Sequence, residues 1–305
     1  MSEIKFTQVV GVGCGIDVHK DLIVATIQKG NEQIETKEFN AYTSSLKSLR
    51  DWCKEEGVTH IAMESTGVYW KPVFNVLEED FHIILVNARH VKNVPGHKTD
   101  KKDSRWLSKL LLSGLLKGSF IPPCEIRELR DLVRYRKKLV AQIASEKSRI
   151  IKILEDANIK LSSVLSNVDG AVGTKILDSL IEGKTEVSYL MQFYHGKIKT
   201  SKEEFRLALE GKINSHHRFM LQLHKDSIAD KERMIVRIDK EIEIATQAYQ
   251  VEIALLQTIP GVARDSAISI ISEIGVDMSI FPDENHLSSW AGMSPGNNET
   301  GGKKK

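Results

Sequence analysis

The sequence predicts an α/β plus α chain, an α/β domain followed by a helical remainder, and three observations predict it. Over the first hundred residues, short apolar runs bounded by turn residues alternate with stretches of helical spacing. From Glu125 to Leu154 there is no Gly or Pro, and an apolar stripe recurs at helical intervals. Aromatic residues make up only 6% while Lys, Glu, Leu and Ile are plentiful, a balance that favours helix. At 305 residues the chain exceeds what one core usually holds, so two or three domains are expected.

The elements follow in order. Val9 to Val18 is an apolar, Gly-punctuated run and reads as a buried strand. Leu22 to Gln28 alternates and Gln33 to Phe39 follows, with Lys29-Gly30-Asn31-Glu32 as the turn between them. Thr43 to Glu56 places Leu46, Leu49 and Trp52 on one helical face and stops at Gly57. His60 to Met63 is a short strand, Val68 to Glu78 a helix, Phe81 to Val86 a buried strand, and Asp103 to Leu116 a helix. Strand, strand, strand, helix, strand, helix, strand, helix is the order of the ribonuclease-H-like fold. It predicts an N-terminal domain over residues 1–121.

Pro122-Pro123 breaks the chain. Beyond it, Ile126, Leu129, Val133, Val140, Ile143, Ile150 and Leu154 form the first helical stripe. Residues 165–200 are mixed. A second long helix is expected from Lys202 to Leu256, where Ile228, Ile235, Ile242 and Tyr249 stand seven apart. A helical hairpin or coiled-coil arm over residues 122–254 follows, either purely structural or the arm of a dimer. Residues 255–305 form a third, small helical domain, and its basic end, Gly301-Gly302-Lys303-Lys304-Lys305, reads as an incomplete one.

Net charge is only +2, but the distribution is uneven. Seven Lys or Arg face two Asp between Arg89 and Lys109, and nine face three acids between Arg127 and Lys152. A near-neutral protein with a basic middle can bind a polyanion there. Cys14, Cys53 and Cys124 lack paired spacing and are expected to be reduced thiols. No apolar run is long enough for a membrane span, and the N-terminus lacks a signal-peptide pattern. The expected location is the cytoplasm, at the nucleoid.

Four carboxylates carry the chemistry. Asp17 lies at the end of the Val12–Ile16 strand and Glu64 follows the His60–Met63 strand. Strand ends are where α/β folds put ligand-binding groups, and an acid there is costly to bury without a cation. Asp100 and Asp103, spaced by three, share one helical face, and the helix dipole offsets only part of their repulsion. A divalent ion would offset more, and an oxygen-only donor set favours Mg²⁺ or Mn²⁺. Two metals about 4 Å apart would activate a water or hydroxyl and stabilise the oxygen leaving a phosphodiester. Singly, each acid has a plainer reading: Asp100 and Asp103 as helix-start acids on a solvated face, Glu64 as a cap of the next helix, Asp17 as a hairpin residue. Their combination in this fold order points to a metal site acting on nucleic-acid phosphates.

The segments Gly15-Ile16-Asp17-Val18-His19-Lys20, Met63-Glu64-Ser65-Thr66-Gly67 and His97-Lys98-Thr99-Asp100-Lys101-Lys102-Asp103-Ser104 closely resemble the DEDD transposases of bacterial and archaeal insertion sequences, the bridge-RNA-guided recombinases. Gln257-Thr258-Ile259-Pro260-Gly261-Val262 and the run from Trp290 to Lys303 resemble the second domain of that family. The resemblance implies a RuvC-like N-terminal domain with Mg²⁺ held by Asp17, Glu64, Asp100 and Asp103. It also implies a C-terminal hydroxyl that forms a transient link to DNA. Many relatives have a serine at that position; here the aligned residue is Thr300, with Ser294 nearby but off the motif. Relatives continue well past Lys303, so a C-terminally truncated joining domain is expected. The implied partners are DNA, as element ends and target, an element-encoded guide RNA, and further copies of the chain as a dimer or tetramer.

Several further residues are candidates. Lys98, Lys101, Lys102 and Arg105 flank the Asp pair and would position phosphates. The cluster Arg134, Tyr135, Arg136, Lys137 and Lys138 reads as a DNA or structured-RNA surface, or as a solvated helix face. Gly261 lies in a turn resembling a helix-hairpin-helix, which would expose backbone N–H groups to phosphate, though such turns also serve as connectors. His19 and His97 read as phosphate contacts, proton carriers or ordinary surface residues; His90, His216, His217 and His224 are expected at the surface. Two other functions fit less of the sequence: a junction endonuclease that cuts without joining, and an inactive nucleic-acid-binding remnant.

Overall fold

A computed structural model of the chain describes residues 10–30, 33–65, 67–87, 100–116, 118–293, 299–300 and 303–304; the side chains of residues 33, 100–102, 299–300 and 303–304 lie outside that description. The chain divides into two compact units, Met1–Ile121 and Pro122–Lys305.

In the first unit, strands β1 (Val12–Val18), β2 (Leu22–Lys29) and β3 (Gln33–Asn40) form an antiparallel meander. Helix α1 (Thr43–Glu55) leads to β4 (His60–Glu64), and α2 (Trp70–Leu77) leads to β5 (His82–Val86). Strands β4 and β5 run parallel to β1, giving one mixed sheet in the order β3-β2-β1-β4-β5. Alternation assigns the two faces. Cys14, Ile16 and Val18 join Leu46, Leu49, Trp52, Val73, Phe74 and Leu77 in the larger core, under α1 and α2. Ala62 and Val86 pack on the other face with Leu107 and Leu111 of α3 (Asp100–Leu112).

Helix α3 starts at Asp100, three residues before the expected start, and stops at Leu112. Its seat on the sheet is set by glycines. A Cβ built on Gly15 would lie 2.1 Å from the Ser104 carbonyl oxygen and 2.4 Å from the Ser108 nitrogen. One on Gly13 would lie 2.8 Å from Leu111 Cδ2. The helix therefore runs antiparallel to β1, its backbone almost touching the strand, and its first turn lies toward the strand's C-terminal end.

In the second unit, α4 (Cys124–Asp156) pairs antiparallel with α9 (Ser215–Ala245). Between them in sequence lie α5 (Leu161–Val164), α6 (Ala171–Ile181), α7 (Val187–Leu190) and α8 (Lys202–Ala208). After them come α10 (Gln250–Leu256), α11 (Arg264–Ile274), α12 (Glu284–Trp290) and the short strands β6 (Glu299–Thr300) and β7 (Lys303–Lys304). One apolar core surrounds Ile150, Leu154, Ile176, Leu180, Phe205 and Leu221. A second joins Ile126, Leu129 and Val133 to Ile242, Ile253 and Ile268.

The single helix expected from Lys202 to Leu256 is broken. Ser201 and Asn214 each close a capping box, with Glu204 and His217. Between them the chain turns back to bond the end of α4, through Lys160 N–H to Ala208 O at 2.8 Å and Lys212 N–H to Ala157 O at 2.9 Å. A further break at Thr246 separates α9 from α10; its hydroxyl returns to Ile242 O at 2.7 Å.

Candidate active site at the strand ends

The register of the sheet places the first two acids. Ile16 of β1 pairs with Met63 of β4, so Asp17 and Glu64 follow as neighbours at the C-terminal ends of two parallel strands. Adjacent strands lie about 4.8 Å apart. Alternation puts both residues on the face of the sheet that carries α3, in line with Gly15 and Ala62. The Asp17 side chain is 15% exposed, and Glu64 is half-buried. The ladder continues past Glu64, since Ser65 N–H donates to Val86 O at 3.0 Å. Helix α2 begins only at Trp70, with Tyr69 at its cap, so Glu64 does not cap it.

The second pair comes from α3. Asp100 and Asp103 both fall in its first turn, at the end of β1 where Asp17 stands. Asp103 is half-buried; the Asp100 side chain lies outside the described residues. His19 is exposed, and its Nε2 lies 3.1 Å from Asp17 Oδ2. Arg105 is exposed, and its Nε donates to Thr36 Oγ1 at 3.3 Å. Lys98, His90 and His97, and the side chains of Lys101 and Lys102, lie outside the described residues.

The donor set tests the implied metal. Hard oxygen donors suit Mg²⁺ or Mn²⁺. Asp17 and Glu64 fit such an ion by type and placement. Among the described residues no group of three His, Cys, Asp or Glu side chains is arranged to hold a metal.

The other candidates lie in the second unit. Arg134 makes a two-pronged pair with Glu273, Nε to Oε1 at 2.8 Å and Nη2 to Oε2 at 2.7 Å. Burial raises the Glu273 carboxyl, but the Arg134 hydrogen bond and the charges of Arg134 and Arg130 win and hold it below the ordinary carboxylate range. Arg136 pairs with Asp239 at 2.5 Å and reaches Asp265 at 3.6 Å. Lys137 and Lys138 are exposed. Arg136, Lys137, Asp239, Glu243, Arg264 and Asp265 line a cleft of about 560 Å³. Gly261 sits at φ 86° in the exposed turn between α10 and α11. Thr300 lies opposite Lys303 in the β6–β7 ladder, its side chain outside the described residues; Ser294 is also outside them.

Sequence reading placed His217 and His224 at the surface, and the structure corrects this. His217 is buried, with Nε2 2.8 Å from Asp156 Oδ2. His224 Nδ1 lies 2.6 Å from Oε2 of Glu146, a buried acid in the seam between α4 and α9. Lys231 Nζ stands 3.6 Å from the same carboxylate and Arg149 Nη1 3.5 Å from it. Burial opposes ionisation of Glu146, but these partners win and lower its pKa. Arg130, likewise unforeseen, donates to the Ser272 and Glu273 carbonyls at 3.0 and 2.7 Å, closing the C-terminus of α11.

A mixed α/β sheet with acids on neighbouring strand ends, followed by a helical unit, defines a class of chain. Two family models match it. One, described as a DEDD transposase of the IS110 type, matches residues 14–159; the other, described as Transposase IS116/IS110/IS902 family, matches residues 253–305. Together they take in about two thirds of the sequence, and the chain belongs to the IS110-like transposases. That membership implies DNA binding with cleavage and recombination of DNA. The first match contains Asp17, Glu64, Asp100 and Asp103, the second Gly261 and Thr300. No curated protein matches the chain. No helix among the described residues is long and apolar enough to cross a membrane.

Proposed function

We propose that the chain is an insertion-sequence transposase that cuts and rejoins DNA, its N-terminal unit ribonuclease-H-like and RuvC-like, with Asp17, Glu64, Asp100 and Asp103 as its metal-holding acids. The observation that supports this most is the juxtaposition of Asp17 and Glu64, on parallel strand ends, with the first turn of α3. A bound Mg²⁺ or Mn²⁺ would supply charge stabilisation to the phosphodiester and a more acidic hydroxyl. The chain's own part is to hold acids on a rigid sheet and a seated helix, so that little reorganisation is needed when substrate arrives. Lys98, Lys101, Lys102 and Arg105 would orient the DNA backbone beside them. Lys137, Lys138, Arg134, Arg136 and the turn at Gly261 would extend the nucleic-acid surface on the second unit.

Joining falls to Thr300. Its Oγ would bond to phosphorus as a P–O bond of the DNA breaks, the hydroxyl proton ending on the leaving oxygen. A hydroxyl of the incoming strand would then reverse the exchange. An element-encoded RNA would choose the sites, and copies of the chain would pair the two DNA partners. On this reading residues 1–121, 122–254 and 255–305 serve as nuclease domain, helical arm and joining domain.

The test is a purified chain with element-end and target DNA, Mg²⁺, and RNA transcribed from the element's non-coding region. Recombinant product and a trapped protein–DNA adduct that Thr300→Ala abolishes are expected. Cleavage without an adduct would indicate an endonuclease. Undiminished cleavage by Asp17→Asn would remove these acids from the site.

A further inference from the structure

The interface between α3 and the sheet has glycines at its centre. Gly13 and Gly15 present no side chains, and the apolar contact of Leu107 and Leu111 with Ala62 and Val86 is non-directional. That contact lets the helix come close, but it sets sliding and turning less sharply than directed bonds would. A slip of one residue would move it about 1.5 Å and rotate it about 100°, carrying the first-turn acids away from Asp17 and Glu64.

A chain of hydroxyls crosses this interface. Thr26 of β2 is fully buried, and its Oγ1 lies 2.8 Å from Oγ of Ser104, also fully buried. The same oxygen lies 2.9 Å from Thr36 Oγ1 on β3, which in turn accepts from Arg105 Nε at 3.3 Å. A second tie lies one step down the strands. There the buried Ser108 hydroxyl shares its proton between Arg105 O at 2.8 Å and Gln28 Oε1 at 3.3 Å. Sheet register aligns these ties with the acids: Gln28 faces Gly13, Thr26 faces Gly15, and Val24 faces Asp17. Ser104 stands one turn after Asp100 and next to Asp103. Hydrogen bonds have directional geometry that apolar contact lacks, and buried hydroxyls are costly when left unmatched.

We propose that Thr26 and Ser104 are positioning residues, whose hydroxyl pair sets the register of α3 on the sheet and thereby holds Asp100 and Asp103 opposite Asp17 and Glu64. The inference rests on the reading of those four acids as the metal-holding set. Neither hydroxyl is given a part in the chemistry. They act through the helix that carries the acids.

The experiment uses the full chain and reads Mn²⁺ binding by calorimetry, thermal melting, and DNA cleavage as a function of Mg²⁺ concentration. Thr26→Val keeps the shape and removes the hydroxyl; Ser104→Ala removes its partner; Thr26→Ser restores a hydroxyl. Thr26→Val and Ser104→Ala should each weaken Mn²⁺ binding on the order of tenfold, as loss of a group that orients metal ligands does. The Mg²⁺ needed for half-maximal cleavage should rise in parallel, with Thr26→Ser close to the parent. Wild-type Mn²⁺ binding by either hydroxyl-free variant would overturn the proposal. If Thr26→Val does not fold, Ser104→Ala and Thr26→Ser decide it by the same readings. Failure of the underlying reading looks different: the parent chain would bind no Mn²⁺, or Asp17→Asn would bind it equally well, and both readings then fall.

Discussion

The two units use the same carboxylates in opposite ways. In the first, backbone register sets acid beside acid: Asp17 next to Glu64 on the sheet, Asp100 and Asp103 in one helical turn. In the second, buried or half-buried acids are set against cations: Glu146 against His224 and Lys231, Glu273 against Arg130 and Arg134, Asp239 against Arg136. Opposite charges across a helix seam account for themselves by holding the helices in register. Acids gathered at strand ends, with the exposed His19 beside Asp17, are not accounted for by such a seam. The difference sets the strand ends of the first unit apart as the place where metal chemistry is to be sought, and the helix seams of the second as framework.

The largest effect that would sharpen this contrast is expected at Asp17. Asp17→Asn should reduce DNA strand cleavage by at least ~10³-fold, the scale seen when one member of a cooperating site is removed. The metal-free protein should melt close to the parent, because asparagine keeps an oxygen within reach of His19. A clear loss of melting temperature would instead make Asp17 a structural residue.

The framework unit should respond in the opposite sense. Leu129 is fully buried, and Leu129→Ala should lower unfolding stability by about 3 kcal/mol in denaturant titration. An effect below about 1 kcal/mol would mean that the core around α11 is loosely packed. Glu146→Ala strands His224 and Lys231 in a half-buried seam and should cost about 2 kcal/mol.

The pH dependence of that seam has a definite sign. The Glu146 carboxyl is lowered in the folded chain, so its contribution is present above the ordinary carboxylate range. It is lost as pH falls through the depressed value. Denaturation of the parent and of Glu146→Gln should therefore converge in acid and diverge near neutrality; parallel curves across that range would sink the assignment.

The smallest effect is expected at Arg134, whose side chain is 60% exposed. Arg134→Ala should change stability by about 0.5 kcal/mol, as exposed pairs do. If Arg134 also meets DNA, the same variant should flatten the salt dependence of binding by about one phosphate's worth. An unchanged salt slope would leave it a strut alone.

Much of the first unit could be read from the sequence because its signals are local. Short apolar runs and one alternating run gave the strands, Gly57 followed the first helix, and an acid after an apolar run gave the strand-end positions of Asp17 and Glu64. What escaped was non-local. Glu146 and His224 are 78 residues apart, as are Thr26 and Ser104, and no pattern in either segment announces its partner. His217 and His224, on a helix without an acid at ligand spacing, therefore looked like surface residues. The break before α9 was hidden by good helix formers on both sides, although Gly211 stands in it and Asn214 caps the helix that follows. The start of α3 was placed three residues late, at Asp103, although Asp100 reads with it as a helix-start acid.

The gap at Gly15 has a genetic consequence. A methyl group there meets backbone atoms of α3, which cannot turn aside as a flexible side chain would. Any first- or second-base change in a glycine codon introduces a side chain or a stop. Single-base drift at this codon would thus lift the acid-bearing helix off the sheet while leaving the second unit's own cores untouched. In a mobile element, whose copies diverge once they no longer move, that codon is a place where the passage from active to silent copy can be written in one step.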